Sequence, residues 1–64
     1  MKLIMPDKSA RDLKIEEEII ENLLRELGLN PVELIVAKNG RIVAEGDLVG
    51  SEDELRIIKV VHGG

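Results

Sequence analysis

The chain contains no cysteine and no aromatic residue, and these two absences exclude several kinds of protein. Without cysteine there is no disulfide framework, no thiolate metal site and no nucleophilic thiol. Without Phe, Trp or Tyr there are no aromatic platforms on which single-stranded bases could stack. The formal net charge of −4 also opposes phosphate binding. We therefore expect no nucleic-acid partner.

Long apolar runs are missing as well. No stretch approaches the roughly 20 residues that cross a bilayer. Residues 1–7 lack the apolar region of a signal peptide. These observations favour a cytoplasmic protein that does not bind membranes. The 64 residues, of which 44% are hydrophobic, can enclose one core and are too apolar for a disordered tail. A single domain over residues 1–64 is expected.

Side chains suited to catalysis are scarce. One histidine and two serines, with no cysteine, offer little from which to build a nucleophilic triad. The acidic run at residues 52–54 lacks the ligand spacing and turn glycine of an EF-hand loop. The run at residues 16–18 is better explained by the dipole of a helix that follows it. The sequence predicts no metal site and no enzymatic activity of the chain by itself.

The spacing of aliphatic residues predicts one helix. They recur at i, i+3, i+4 and i+7, which makes one apolar stripe: Ile20, Leu23, Leu24 and Leu27. Ile19 is expected on the flank of this stripe, and residues 16–18 in the first helical turn. Gly28 suits the left-handed position that ends a helix, which would let Leu29 pack back on Leu24.

Four to five strands are predicted around this helix. Residues 1–5 and 11–15 form a first hairpin, in which Pro6 and Asp7 open the turn that runs to residue 10. Asn39 and Gly40 predict a type I′ turn, because both central residues of that turn need positive φ. The strands on either side of it are expected at residues 34–38 and 41–45.

The end of the chain completes the predicted sheet. Residues 46–53 are expected to form a loop, with Leu48 and Val49 as anchors beneath it. Residues 55–61 are almost continuously apolar, which is typical of a central strand. If that strand lies beside the first one, the fold is an α+β β-grasp, a mixed sheet of four to five strands packed on one helix.

The last two residues, Gly63 and Gly64, are not explained by folding. Two glycines weaken a terminal strand and bury nothing. A frayed end of no consequence is one interpretation, but two terminal glycines arise by chance in only about 0.5% of chains when Gly usage is near 7%. A tail without side chains can thread a narrow channel and present its α-carboxylate to another active site. Residues 62–64 are therefore expected to form a flexible tail.

Residues 24–31, 36–43 and 53–64 read LRELGLNP, VAKNGRIV and DELRIIKVVHGG. These stretches resemble the ubiquitin-like sulfur carriers, the ThiS type of thiamine biosynthesis and the MoaD type of molybdopterin synthase. The resemblance covers the chain from the helix onward. MoaD-type proteins are usually longer and bear aromatic residues near the tail, so the short length favours the ThiS type or a related carrier for another sulfur product.

The resemblance implies a carrier and not an enzyme. An activating enzyme that binds ATP and Mg²⁺ would adenylate the carboxylate of Gly64. A persulfide on a sulfur donor protein would replace AMP, and the thiocarboxylate would deliver sulfur to a precursor on a downstream synthase. Gly63 and Gly64 carry the transfer, and His62 is a candidate contact with the partner. The chain itself would bind no cofactor.

Two other functions fit the same features. Proteins with this tail are also conjugated to lysines as modifiers, and that route begins with the same adenylation. A plain interaction domain with an idle tail is a third possibility, and it requires the glycines of the tail to be accidental.

An exposed aliphatic patch is expected on the sheet, because one helix cannot cover two faces that both hold apolar residues. One face of the second hairpin holds Ile35, Ala37, Ile42 and Ala44. The other holds Leu34, Val36, Lys38, Arg41, Val43 and Glu45. Uniformity favours the first set as core, whereas superposition on ubiquitin-like folds favours Val36 and Val43. The predicted partner-binding residues are Ile58, Val60, Ala37 and Ile42.

Overall fold

The computed structural model describes residues 1–60, which form a small α+β fold. The strands are β1 (Lys2–Ile4), β2 (Ala10–Asp12), β3 (Glu17–Ile19), β4 (Leu34–Lys38), β5 (Arg41–Val43), β6 (Leu48–Gly50) and β7 (Glu54–Lys59). The helix α1 spans Ile20–Glu26, and a 3-10 turn spans Pro31–Glu33. No helix in residues 1–60 has the length and apolar character needed to cross a membrane.

The main sheet is mixed and has five strands in the order β2-β1-β7-β4-β5. Strand β7 lies in the centre, parallel to β1 and antiparallel to β4. The predicted central position of the last strand beside the first is therefore confirmed. The observed strand ends at Lys59 and not at residue 61, which lies outside the described residues.

The core lies between this sheet, the helix and the small sheet that β3 and β6 form. Its buried side chains are Leu3, Ile20, Leu23, Leu24, Val36, Val49, Leu55 and Ile57. Three of the four residues of the predicted helical stripe belong to it, and Leu27 packs against it half-buried. The helix thus covers one face of the main sheet.

The core also decides between the two faces of the second hairpin. Val36 is buried and Val43 is half-buried against the core, so their face points to the helix. The interpretation that put Ile35 and Ile42 in the core because of their uniform character is wrong. The reason is the register: Val36 stands opposite Ile57, whose side chain is buried.

The helix begins later than predicted. Residues 17–19 form strand β3 and not the first helical turn, and Ile19 is extended, with φ −72° and ψ 131°. It does not flank the helical stripe. The first backbone N–H groups of the helix are satisfied by the chain that precedes β6: Ile20 N donates to Asp47 O, and Glu21 N to Glu45 O, both at 2.9 Å. This tertiary pairing outweighs the helix-dipole preference of the acidic run.

The predicted loop at residues 46–53 contains strand β6, which pairs antiparallel with β3. Val49 is fully buried and anchors the segment as expected. Leu48 is 46% exposed and does not, because it stands opposite Ile19 on the outer side of the small sheet. The prediction was therefore correct for one of the two anchors.

The first hairpin is shorter than predicted. Its second strand is β2 at residues 10–12, while Leu13 and Ile15 pack half-buried against the core outside any strand. The predicted role of Asp7 in the turn is confirmed. Ser9 donates to the Asp7 carboxylate from both its hydroxyl, at 2.6 Å, and its backbone N–H, at 2.9 Å. Both hydrogen bonds lower the pKa of Asp7, and the bond from the hydroxyl has the larger effect.

Two predicted backbone turns are present. Asn39 and Gly40 have φ of +53° and +84°, as a type I′ turn requires, although β5 ends at residue 43 and not at 45. The helix ends in a Schellman motif: Gly28 N donates to Arg25 O at 3.0 Å, and Leu29 N donates to Leu24 O at 2.9 Å. Gly28 has φ +78°.

Replacing the glycine that ends the helix should destabilise the domain. Gly28→Ala places a β-carbon in open space but in a left-handed conformation, so we expect a loss of about 1 kcal/mol in the free energy of unfolding. Gly46→Ala is the matched control, because that site is equally open and its φ is not positive. Urea unfolding checks both variants, and equal stability of the two would contradict the strain argument.

Candidate functional site: the outer face of the sheet

The face of the main sheet that points away from the helix carries exposed aliphatic side chains. Ile35 is 38% exposed, Ile42 75% and Ile58 43%. Ile35 stands opposite Ile58 across β4 and β7, and Ala37 stands opposite Ile42 across β4 and β5. We call Ile35, Ala37, Ile42 and Ile58 the aliphatic patch.

The aliphatic patch contains three of the four residues that were predicted to bind a partner, Ala37, Ile42 and Ile58. Val60 follows β7, is half-buried, and donates its N–H to the Glu33 carbonyl at 2.9 Å. Ile35 was not among the predicted binding residues. Its pairing with Ile58 would have identified it, but that register is not visible in the sequence.

A straight row of residues crosses all five strands on this face. From β2 to β5 it contains Ala10, Ile4, Arg56, Ala37 and Ile42. Arg56 is the only charged residue of the row, and its side chain is exposed. The one ion pair within residues 1–60 joins Arg25 to Glu21 at 3.0 Å, so Arg56 has no carboxylate partner there. Sequence patterns did not single out Arg56.

The neighbouring row is more polar. Lys2 stands opposite Asp12 on one side and opposite Glu54 on the other. Between the two rows lies a recess of about 300 Å³ lined by Ala37, Gly40, Glu54 and Arg56. An outer face with aliphatic side chains, a recess and separate charges suits the binding of a protein surface.

A hydrogen-bond network holds the hairpin turn against the start of β7. Asn39 donates from its side chain to Asp53 Oδ1 at 2.8 Å and accepts from Glu54 N at 2.9 Å. Asp53 Oδ2 accepts from Gly50 N at 2.7 Å. The hydrogen bonds from Gly50 and Asn39 lower the pKa of Asp53, and the bond from Gly50 has the larger effect. The wall of the recess at Gly40 is therefore fixed relative to Glu54.

A carboxyl pair joins β3 to α1. A hydrogen bond with Glu26 raises the pKa of Glu18, and burial adds to the shift. Within residues 1–60, no three His, Cys, Asp or Glu side chains converge in a way that would hold a metal ion.

The predicted tail residues His62, Gly63 and Gly64 lie outside the described residues, as does the prediction that the tail is flexible. No protein-family model matches the chain, and no curated protein matches it significantly.

Charge substitutions on the two faces of β7 should have opposite effects on folding. Leu55→Asp places an unpaired carboxylate in a fully buried position, and we expect it to cost about as much as the whole folding free energy of so small a domain. Ile58→Asp, at an exposed position, should change the unfolding free energy by less than about 1 kcal/mol. Circular dichroism with urea unfolding tests this, and a folded Leu55→Asp beside an unfolded Ile58→Asp would reverse the assigned faces.

The Asp53 network predicts a pH-dependent contribution to stability. Because the pKa of Asp53 is lowered on folding, its stabilisation is present above the ordinary carboxyl pKa of 3.8 and is lost as the pH falls through the lowered value. Asp53→Asn should therefore be less stable than the unchanged chain at pH 7, and this difference should shrink at acid pH. Asp12→Asn, which removes a carboxylate outside the network, is the control. A difference that does not vary with pH would contradict the assignment.

Proposed function

We propose that this chain is a ubiquitin-like sulfur carrier with a β-grasp fold. The observation that carries the proposal is the position of β7: the segment that leads to Gly63 and Gly64 begins in a strand bonded on both sides. The strand order, the parallel pair β1 and β7, and the helix on one face support the β-grasp. Residues 60–64 come directly after the central strand in the sequence.

The proposed chemistry uses the α-carboxylate of Gly64 and no side chain of this protein. On the activating enzyme, with ATP and Mg²⁺, a carboxylate oxygen attacks the α-phosphorus and pyrophosphate leaves, which gives an acyl-adenylate. A persulfide on a sulfur donor protein attacks the acyl carbon and AMP leaves. A thiol then reduces the acyl disulfide to the thiocarboxylate, which donates sulfur in thiamine or molybdopterin-type cofactor synthesis.

The role of the folded part in this scheme is to place the tail in the partner's active site. We assign docking to the aliphatic patch, because it lies on the outer side of the strand from which the tail departs. His62, between the strand and the two glycines, remains a candidate contact with the same partner. The ATP and Mg²⁺ are bound by the partner, and the chain acts as its co-substrate.

The adenylation step is tested by removing the proposed reacting group. Deletion of Gly64 should abolish ATP–pyrophosphate exchange by the activating enzyme of the native host, because the remaining carboxylate is one residue short. Circular dichroism and urea unfolding should be unchanged. Addition of an alanine after Gly64 is the matched control, since it keeps both glycines and displaces the carboxylate. Exchange that survives either change would sink the carboxylate mechanism.

Carrier and modifier are distinguished by the state of the protein in its host. The proposal requires a native chain that ends at Gly64, and intact mass should show a fraction in which one oxygen is replaced by sulfur. Lysine-linked adducts that carry a Gly-Gly remnant, with no thiocarboxylate, would instead establish the modifier. A native chain that continues beyond Gly64 without being processed would contradict both.

A further inference from the structure

The charged residues of this chain are unevenly distributed over the fold. Residues 16–33 and 45–53, which hold the helix and the small sheet, carry ten of the thirteen carboxylates and only one of the nine cations, Arg25. The rest of the chain, mainly the five-stranded sheet and its turns, carries eight cations and three carboxylates. The formal net charge of −4 is therefore the sum of −9 on residues 16–33 and 45–53 and +5 on the rest of the chain.

A partner that approaches the outer face interacts electrostatically mainly with the charges on that face. The Debye length is about 8 Å at physiological ionic strength, whereas the smallest dimension of the molecule is 22 Å. The carboxylates of β3 and α1 are thus largely screened. On the outer face itself, Lys2 is balanced by Asp12 and Glu54, which stand opposite it. Arg56 has no such neighbour in its row.

We infer that Arg56 is the charged anchor of the outer face and that it receives a carboxylate from an acidic surface of the activating enzyme. This inference rests on the proposed function, which assigns docking to that face. The guanidinium presents a planar fork of donors that matches a carboxylate in a bidentate geometry. The aliphatic side chains around it would exclude water from the pair.

The recess beside Arg56 determines how the carboxylate enters. It is lined by Arg56 on one side and by Glu54 on the other, with Ala37 and Gly40 between. An incoming carboxylate is therefore attracted by Arg56 and repelled by Glu54. These two residues thus make opposite contributions to binding. Removal of the charge of Arg56 should therefore raise the KM for adenylation, whereas removal of the charge of Glu54 should lower it. A phosphate backbone would need several cations without nearby carboxylates, whereas the two cations of the outer face, Lys2 and Arg56, lie beside two carboxylates, Asp12 and Glu54.

The experiment measures adenylation of four variants by the host activating enzyme. Arg56→Glu should raise KM about tenfold or more, the size expected for a lost interface hot spot. The kcat should be kept, because the tail is unchanged. The KM of Arg56→Lys should lie between the KM of the unaltered chain and that of Arg56→Glu, since an ammonium cannot pair with a carboxylate through two parallel hydrogen bonds. Glu54→Gln should lower KM. Lys14→Glu, an exposed cation in no strand, is the control and should change KM less than twofold.

Four results would overturn the assignment of Arg56 as the charged anchor. An unchanged KM for Arg56→Glu, with the unaltered chain adenylated, overturns the anchor and leaves the proposed function intact. A Glu54→Gln variant with raised KM shows that the partner presents a cation and also overturns it. Absence of adenylation of the unaltered chain overturns both. Binding of a fluorescent single-stranded oligonucleotide at physiological salt, lost in Arg56→Glu, would reassign the face to a polyanion. Circular dichroism verifies that every variant is folded.

Discussion

Strand β7 is hydrogen-bonded to β1 on one side and to β4 on the other, and the rest of the fold is arranged around this double pairing. It brings residues near the start of the chain against residues near its end, because Leu3 stands opposite Leu55. Loop-closure entropy grows only slowly with the number of residues between the ends, so burial of a few aliphatic side chains can offset it. Both Leu3 and Leu55 are fully buried.

The elements that the sequence predicts well are those with local signals. The spacing of Ile20, Leu23 and Leu24 places the helix, and Asn39 with Gly40 defines the turn. The small sheet of β3 and β6 could not be predicted in this way. Its partners are distant in the sequence, its acidic residues are poor strand formers, and its position also reflects the need of the helix N-terminus for the carbonyl groups of residues 45 and 47.

The composition of the outer face is likewise not predicted by local sequence signals. Alternation along the second hairpin separates two sets of residues, but it does not say which set faces the helix. The register of Val36 with Ile57 decides that, and only then do Ile35 and Arg56 become surface residues of one face. The recess depends on a further tertiary feature, the contact of Asn39 with Asp53 and Glu54. Asn39, which belongs to the turn, thus also fixes the turn beside the recess.

Alternation along β7 places core and surface side chains on a single strand. Leu55 and Ile57 point into the core, whereas Arg56 and Ile58 point outward. Because the strand is paired on both sides, its outward side chains have fixed positions relative to each other and to the end of the strand at Lys59. The inner side chains contribute to the core, whereas the outer ones contribute little to it. Substitutions on the outer side of β7 can therefore change the surface of the sheet while the core stays the same.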